Sequence, residues 1–291
     1  MPNIKLLQPT SLDEALSHLS AKSDETKIIS GGTALVIMLK NRLIAPATLL
    51  SLAGLQELRG IRHEPGIGLR IGALATIREA ETSPIIRQRQ PILAQTFGKV
   101  GNIRVRHAAT VGGNLSEADY ASDPPCVLVA LRARAKARSA RAEREIPLMD
   151  FFKGFYETAL APDEILTELI VPDALPETRA AYVKYVSRSS EDRPCVGMAA
   201  VVENQADGSC KSLRLVAGAV AETPQEIASA EALAGGKRLT DIVIDEIADA
   251  YSSAIEPLSD LRGSAWYRKQ IIRVMARRAI QQAVDGHQRG V

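Results

Sequence analysis

The chain is poor in the residues that hold metals and disulfides. Its three cysteines, Cys126, Cys195 and Cys210, are odd in number and far apart. That spacing argues against a disulfide framework and any CxxC metal site, so any iron–sulfur cluster would have to sit in another chain. The four histidines, His18, His63, His107 and His287, are just as scattered, and no zinc-like ligand set can be read from them. No metal ligands are assigned. Charge of either sign is not in excess: Lys+Arg 36 against Asp+Glu 34 leaves +2, too weak a field to collect nucleic acid. No apolar run approaches the roughly 20 residues of a membrane helix, and MPNIKLLQPTSLDEAL lacks the basic-then-apolar order of a signal peptide. The expectation is a cytoplasmic protein without a membrane span.

What remains is an ordinary globular composition, with 46% hydrophobic and 24% charged residues over 291 positions, enough for two domains with their own cores. Ser11-Leu-Asp-Glu14 is a capping-box pattern that opens a helix to about Ser20. Lys27-Ile28-Ile29-Ser30 is a short apolar run that stops at Gly31-Gly32, and Thr33 to Arg42 follows with good helix formers and basic residues at its end. With a strand over Thr48 to Leu52, this completes a small βαβ-like unit. A second region begins near Ile61. In it Leu69-Arg-Ile71 alternates as a strand, Thr76-Ile-Arg-Glu79 is another capping box, Pro84 to Gly98 reads as a helix, and Pro125 to Leu131 as a buried helical turn or strand. Arg132, Arg134, Lys136 and Arg138 recur at every second position and share one face of a strand, either as a solvated edge or as a docking face for a partner.

Pro172 to Glu177 reads as a linker. Beyond it three strand-like runs, Ala180 to Val186, Val196 to Val202 and Leu213 to Val220, precede helical runs Glu226 to Ala234, Asp241 to Ile255 and Ser264 to Val284. Strands first and helices after predict an α+β domain with a three-stranded sheet. Gly66-Ile-Gly68 does not extend to GxGxxG and no P-loop occurs, so neither a Rossmann nor a nucleotide-triphosphatase site is supported.

Two glycine pairs carry the chemistry: Ser30-Gly31-Gly32-Thr33 at a strand-to-helix turn, and Thr110-Val111-Gly112-Gly113-Asn114 some eighty residues on. A diphosphate can be approached closely by backbone N–H groups only where no Cβ intervenes, and a helix N-terminus adds positive potential. Thr33, Thr110 and Asn114 can add side-chain hydrogen bonds to phosphate or ribityl oxygens. Either pair alone answers equally to turn geometry.

Their order, followed by the ATVGGNLSEAD segment and Asp123, resembles the FAD-binding subunits of the molybdenum hydroxylase family, which includes xanthine dehydrogenase and carbon monoxide dehydrogenase. Nearly the whole chain is covered, including Asp260-Leu-Arg-Gly-Ser-Ala-Trp-Tyr-Arg-Lys269. The resemblance implies an α+β fold: an FAD-binding domain over 1–175 in two lobes, about 1–58 and 59–175, like that of the vanillyl-alcohol oxidases, and a C-terminal flavoprotein domain over 176–291. It implies a first pyrophosphate loop of Ile28, Ile29, Ser30, Gly31, Gly32, Thr33, Ala34 and Leu35, and a second of Thr110, Val111, Gly112, Gly113 and Asn114. Val100 is a further implied cofactor contact. Asp123 is implied to meet the flavin's sugar-alcohol chain, although as a residue before Pro124 it equally suits a helix cap. Leu166 is implied to pack near the isoalloxazine, and Lys184 to stand beside the ring, where a cation stabilises the anionic reduced flavin and raises its potential.

Arg193 stands where many members carry a ring-shielding aromatic, and it either stacks, contacts the acceptor or faces solvent. No cysteine-rich loop for an extra cluster is present. The implied activity is that of an oxidoreductase subunit passing electrons through FAD to an external acceptor. Molybdopterin and 2Fe-2S clusters are implied only in partners, a molybdopterin-binding large subunit and a 2Fe-2S small subunit, assembled as a dimer of heterotrimers. The rival readings are a stand-alone FAD-dependent oxidoreductase and a purely structural or assembly subunit that has lost its cofactor.

Overall fold

A computed structural model describes residues 4–286, which leaves His287 outside. The chain opens with β1 (Lys5–Leu7), α1 (Leu12–Lys22), β2 (Thr26–Ile29), α2 (Leu35–Lys40) and β3 (Thr48–Ser51). The three strands form one parallel sheet in the order β1-β3-β2. Parallel neighbours need crossover connections, and the two helices supply them. Leu12, Leu16 and Leu19 bury one stripe of α1 against Leu50, Leu52 and Leu55. The expected capping box of α1 is half present: the Ser11 hydroxyl accepts the Glu14 amide, but the Glu14 carboxylate turns back to the Thr10 amide and hydroxyl.

The middle of the chain holds β4 (Ile61–Glu64), β5 (Gly68–Gly72), α3 (Ile77–Thr82), α4 (Pro84–Arg89), α5 (Pro91–Gly98), α6 (Ile103–Ala108), α7 (Val111–Glu117), α8 (Asp123–Ala130), β6 (Arg134–Arg138), β7 (Glu143–Pro147), α9 (Leu148–Phe151), the small hairpin β8 (Phe152–Gly154) and β9 (Glu157–Thr158), and β10 (Ile165–Val171). Its five-stranded antiparallel sheet runs β4-β5-β10-β6-β7. The Thr76–Glu79 capping box is complete, each side chain bonding the other's backbone amide. Two expectations change here. The helix read over Pro84 to Gly98 is two helices, because Pro91 forces Gln90 out of the helical region, to φ −143° and ψ 68°. The charged strand is no edge: β6 lies between β10 and β7, and its solvent-facing row is neutralised by Arg134–Glu145, Lys136–Glu143 and Arg138–Asp13 ion pairs.

The last part is β11 (Thr178–Tyr185), β12 (Val196–Asn204), β13 (Cys210–Gly218), the two-residue β14 (Gln225–Glu226), α10 (Ala228–Glu231), α11 (Asp241–Ala254) and α12 (Ala265–Asp285). The three expected strands form and pair antiparallel, and β14 adds a short fourth. Each face of this sheet is buried. Ala181, Val183, Met198, Ala200 and Leu215 meet α11 and α12, while the alternate positions Tyr182, Ala199, Val201 and Val216 join the core of the middle region. That second face is the one that positions the candidate site.

Candidate cofactor-binding site

The two glycine turns, eighty residues apart, touch. Ser30 Oγ lies 3.0 Å from Thr110 Oγ1. A Cβ on Gly31 would stand 1.9 Å from the Ala108 carbonyl oxygen, and one on Gly113 would stand 2.8 Å from both the Ser30 and Thr110 hydroxyls. The contact therefore needs glycine, since nothing larger lets the β2–α2 turn meet the end of α6. Gly32 has φ +70°, a conformation a Cβ strains.

The turns are not equivalent, which the sequence reading did not foresee. In the second, the amides are already committed: Val111 N donates to Ala75 O at 2.9 Å, Gly112 N to Ala73 O at 2.8 Å, Asn114 N to Thr110 O at 2.9 Å, and Gly113 N to Thr110 Oγ1 at 3.0 Å as the cap of α7. Gly112 is small because a Cβ would sit 2.6 Å from that of Ala73. In the first, no acceptor among the described residues takes the amides of Gly31, Gly32, Thr33, Ala34 or Leu35. Bare N–H groups for a diphosphate thus come from the first turn, while the second contributes hydroxyls and the wall. The Asn114 amide is occupied by Ser122 Oγ, donating to it at 2.9 Å and accepting from it at 3.1 Å.

Asp123 opens α8 and is only 4% exposed. Its Oδ1 accepts from the Tyr182 hydroxyl at 2.7 Å and its Oδ2 from Lys184 Nζ at 2.9 Å. Both oxygens face Tyr182 and Lys184, because the alternating face of β11 presses those side chains onto the start of α8. Burial pushes the Asp123 carboxyl above its ordinary value, against the pull of the Lys184 and Tyr182 contacts. Lys184 is no surface lysine: its side chain is 6% exposed, and Nζ also donates to the Lys99 carbonyl at 2.9 Å. Lys99 answers crosswise, its Nζ donating to the Tyr182 carbonyl at 3.1 Å and lying 5.2 Å from the centre of the Tyr182 ring. Burial, followed by a smaller push from Lys184, lowers the Lys99 ammonium pKa while Asp123 pulls it up.

Sequence reasoning missed Lys99 and Tyr182. Tyr182 was legible, since it lies two residues before Lys184 on the same strand face; Lys99 carried no signal beyond adjacency to Val100. Val100 is partly buried against the middle core. Leu166 is buried in β10 opposite Ala137, and β10 in turn packs on α7. Arg193 is half exposed, and its Nε pairs with the buried carboxylate of Asp119. The motif from Asp260 to Lys269 serves the seam between middle and last regions. Arg268, fully buried, donates to the carbonyls of Cys195, Leu258 and Gly263 and to Asp260 Oδ1. Asp260 Oδ2 accepts from the Tyr120 hydroxyl at 2.7 Å.

The residues present suit a dinucleotide: free amides at a turn too tight for a Cβ, paired hydroxyls beside them, and a mostly buried pair of lysines, Lys99 and Lys184. Among the described residues no helix is long and apolar enough to cross a membrane.

The family model described as the FAD binding domain in molybdopterin dehydrogenase matches residues 2–174, and that of the CO dehydrogenase flavoprotein C-terminal domain matches residues 181–283. The glyceraldehyde dehydrogenase medium chain of Sulfolobus acidocaldarius is 32% identical over 281 residues, 97% of this chain and 98% of its own length. Among solved structures, the carbon monoxide dehydrogenase of Hydrogenophaga pseudoflava superposes with a TM-score of 0.93 at 32% identity, covering 97% of each chain. Quinoline 2-oxidoreductase of Pseudomonas putida 86 does so at 0.92 and 30% identity, covering 99% of each. Such agreement in sequence and in fold, over nearly the whole chain, makes this chain a member of the FAD-binding medium subunits of the molybdenum hydroxylase family.

Proposed function

We propose that this chain is the electron exit of its complex, holding FAD between the glycine turns and the face of β11, and delivering electrons from partner iron–sulfur clusters to an external acceptor. FAD, when bound, supplies a carrier that accepts electrons singly and releases them in pairs. The chain's residues bind and bias it. Amides of Gly31, Gly32, Thr33, Ala34 and Leu35 take the diphosphate, with the Ser30 and Thr110 hydroxyls beside them. Ile28 and Ile29 lead into this turn, and Val111, Gly112, Gly113 and Asn114 form the opposite wall. Val100 and Leu166 offer apolar surface to the ring, and Lys184, anchored by Asp123, brings a positive charge to its edge.

The partners proposed are a molybdopterin-binding large subunit and a small subunit with 2Fe-2S clusters, in a dimer of heterotrimers working in the cytoplasm. The chain is proposed to divide near residue 175 into the FAD-binding part and the flavoprotein C-terminal part. The observation that carries the reading is the Ser30–Thr110 contact, which joins two distant turns into one cradle. Its test is flavin content after gel filtration of the full-length chain. Wild type should retain about one FAD per chain and Gly31→Ala none. A Gly31→Ala chain that holds FAD as wild type does would refute the cradle.

A further inference from the structure

We infer that Lys99 is a second cation of the flavin site, acting with Lys184 to favour the reduced form of the bound cofactor. The inference rests on the proposed flavin site and extends it to a residue that neither the glycine turns nor Lys184 implicated. Its ground is a charge count within one hydrogen-bonded cluster. Lys99, Lys184, Asp123 and Tyr182 are joined by five contacts: Lys99 Nζ to the Tyr182 carbonyl, Lys184 Nζ to the Lys99 carbonyl, Lys184 Nζ and the Tyr182 hydroxyl to Asp123, and the Lys99 ammonium over the Tyr182 ring.

Two ammonium groups therefore share one carboxylate. Asp123 is the one acid that acts on Lys99, and Lys184 and Lys99 are the bases that act on Asp123. A mostly buried cluster with one surplus positive charge is costly unless an anion comes to it. Loading FAD with two electrons from the partner's clusters and one proton from water adds one negative charge to the site, which is the charge the cluster lacks. The crosswise bonding matters, because each lysine's ammonium is held by the other segment's backbone. Neither charge can swing away from the face of β11 without releasing the other's carbonyl. Lys99 also begins the stretch that runs through α6, six residues or about 9 Å of helix, to the Ala108 carbonyl against which Gly31 closes. The cluster and the cradle are thus two ends of one short segment.

The test is a redox titration of the full-length, FAD-loaded chain with mediator dyes, followed at the visible flavin band, for wild type, Lys99→Met, Lys99→Arg and Lys184→Met. Lys99→Met keeps the side chain's length and the carbonyl that holds Lys184, and removes the charge together with its bond to the Tyr182 carbonyl. It should reduce the preference for reduced over oxidised FAD roughly tenfold, the effect of one unit charge over about 10 Å at an effective dielectric of about 20. For a two-electron couple that is a fall of about 30 mV, and Lys99→Arg should restore the wild-type potential.

An unchanged potential in Lys99→Met alongside a lowered one in Lys184→Met overturns the inference. If neither variant moves the potential while both hold FAD, the inference and the placement of Lys184 fail together, and the cradle stands. Loss of FAD from folded Lys99→Met would make Lys99 a binding contact rather than a bias on the reduced state, and would also overturn it. A wild-type chain without affinity for FAD would sink the flavin site itself, and this inference with it.

Discussion

Disruption of the Asp123–Lys184 pair should reveal a buried ion pair whose halves cannot be removed singly. The two side chains are 5% and 6% exposed, with Nζ 2.9 Å from Oδ2. At that separation the attraction is about 6 kcal/mol for an effective dielectric of about 20, and stripping water from each ion offsets several kcal/mol of it. The pair as a whole is therefore nearly neutral in stability, whereas one survivor is an uncompensated buried charge. Lys184→Met strands Asp123 with the Tyr182 hydroxyl and the field of Lys99; Asp123→Asn strands Lys184 with the Lys99 carbonyl and leaves two cations facing each other. Each single variant should lose about 3–5 kcal/mol. The double variant should lose no more than either, a coupling of about 3 kcal/mol or more. The assay is urea unfolding of the flavin-free full-length chain, read by far-ultraviolet circular dichroism, with extrapolation to water for all four members of the cycle. Effects that add to within about 0.5 kcal/mol would show that the two groups do not depend on each other, and would refute the reasoning.

Other perturbations separate packing from chemistry. Gly31→Ala drives a Cβ against a backbone oxygen and should cost several kcal/mol in thermal unfolding, whereas Gly113→Ala meets two hydroxyls that can rotate and should cost clearly less; equal losses would contradict the geometry. Glu231, whose carboxylate accepts the Leu215 amide at 2.6 Å, is pushed up to about 7, chiefly by burial. The folded chain keeps that proton where the unfolded chain has released it, so this group's contribution declines as pH rises from about 4.5 towards 7. Glu231→Gln should flatten the melting temperature over that window, and an undiminished pH slope would exonerate Glu231. Arg268→Leu removes a donor from Asp260 and from three carbonyls and should destabilise by about 3–5 kcal/mol; a change below about 1 kcal/mol in urea unfolding would discount the network.

The cradle was legible because short turns with glycine in a fixed strand-to-helix context carry local information. The capping box at Thr76 and the strands after residue 178 were legible for the same reason, as each depends on residues near one another in the chain. What escaped were long-range facts. That Gly31 is dictated by Ala108 depends on where α6 ends. That β6 is interior depends on β10 joining from nearly thirty residues downstream. The break at Gln90 was readable from Pro91 alone and was overridden by the apolar pattern on either side. Lys99 could not have been found locally, because its partners are the carbonyl of Tyr182 and a lysine on β11. The burial of Lys184 was equally out of local reach, since it follows from the packing of α8 on β12 and β13.

The fastening around Arg268 carries a consequence for the order in which the molecule is made. Its acceptors, Cys195, Leu258, Asp260 and Gly263, all precede it, and Asp260 in turn receives the Tyr120 hydroxyl. On the ribosome the earlier regions must wait, the outer face of α8 for β12 and β13 and the Tyr120 hydroxyl for Asp260. The join between front and back is the last stitch, drawn tight by a residue whose partners have all been synthesised before it.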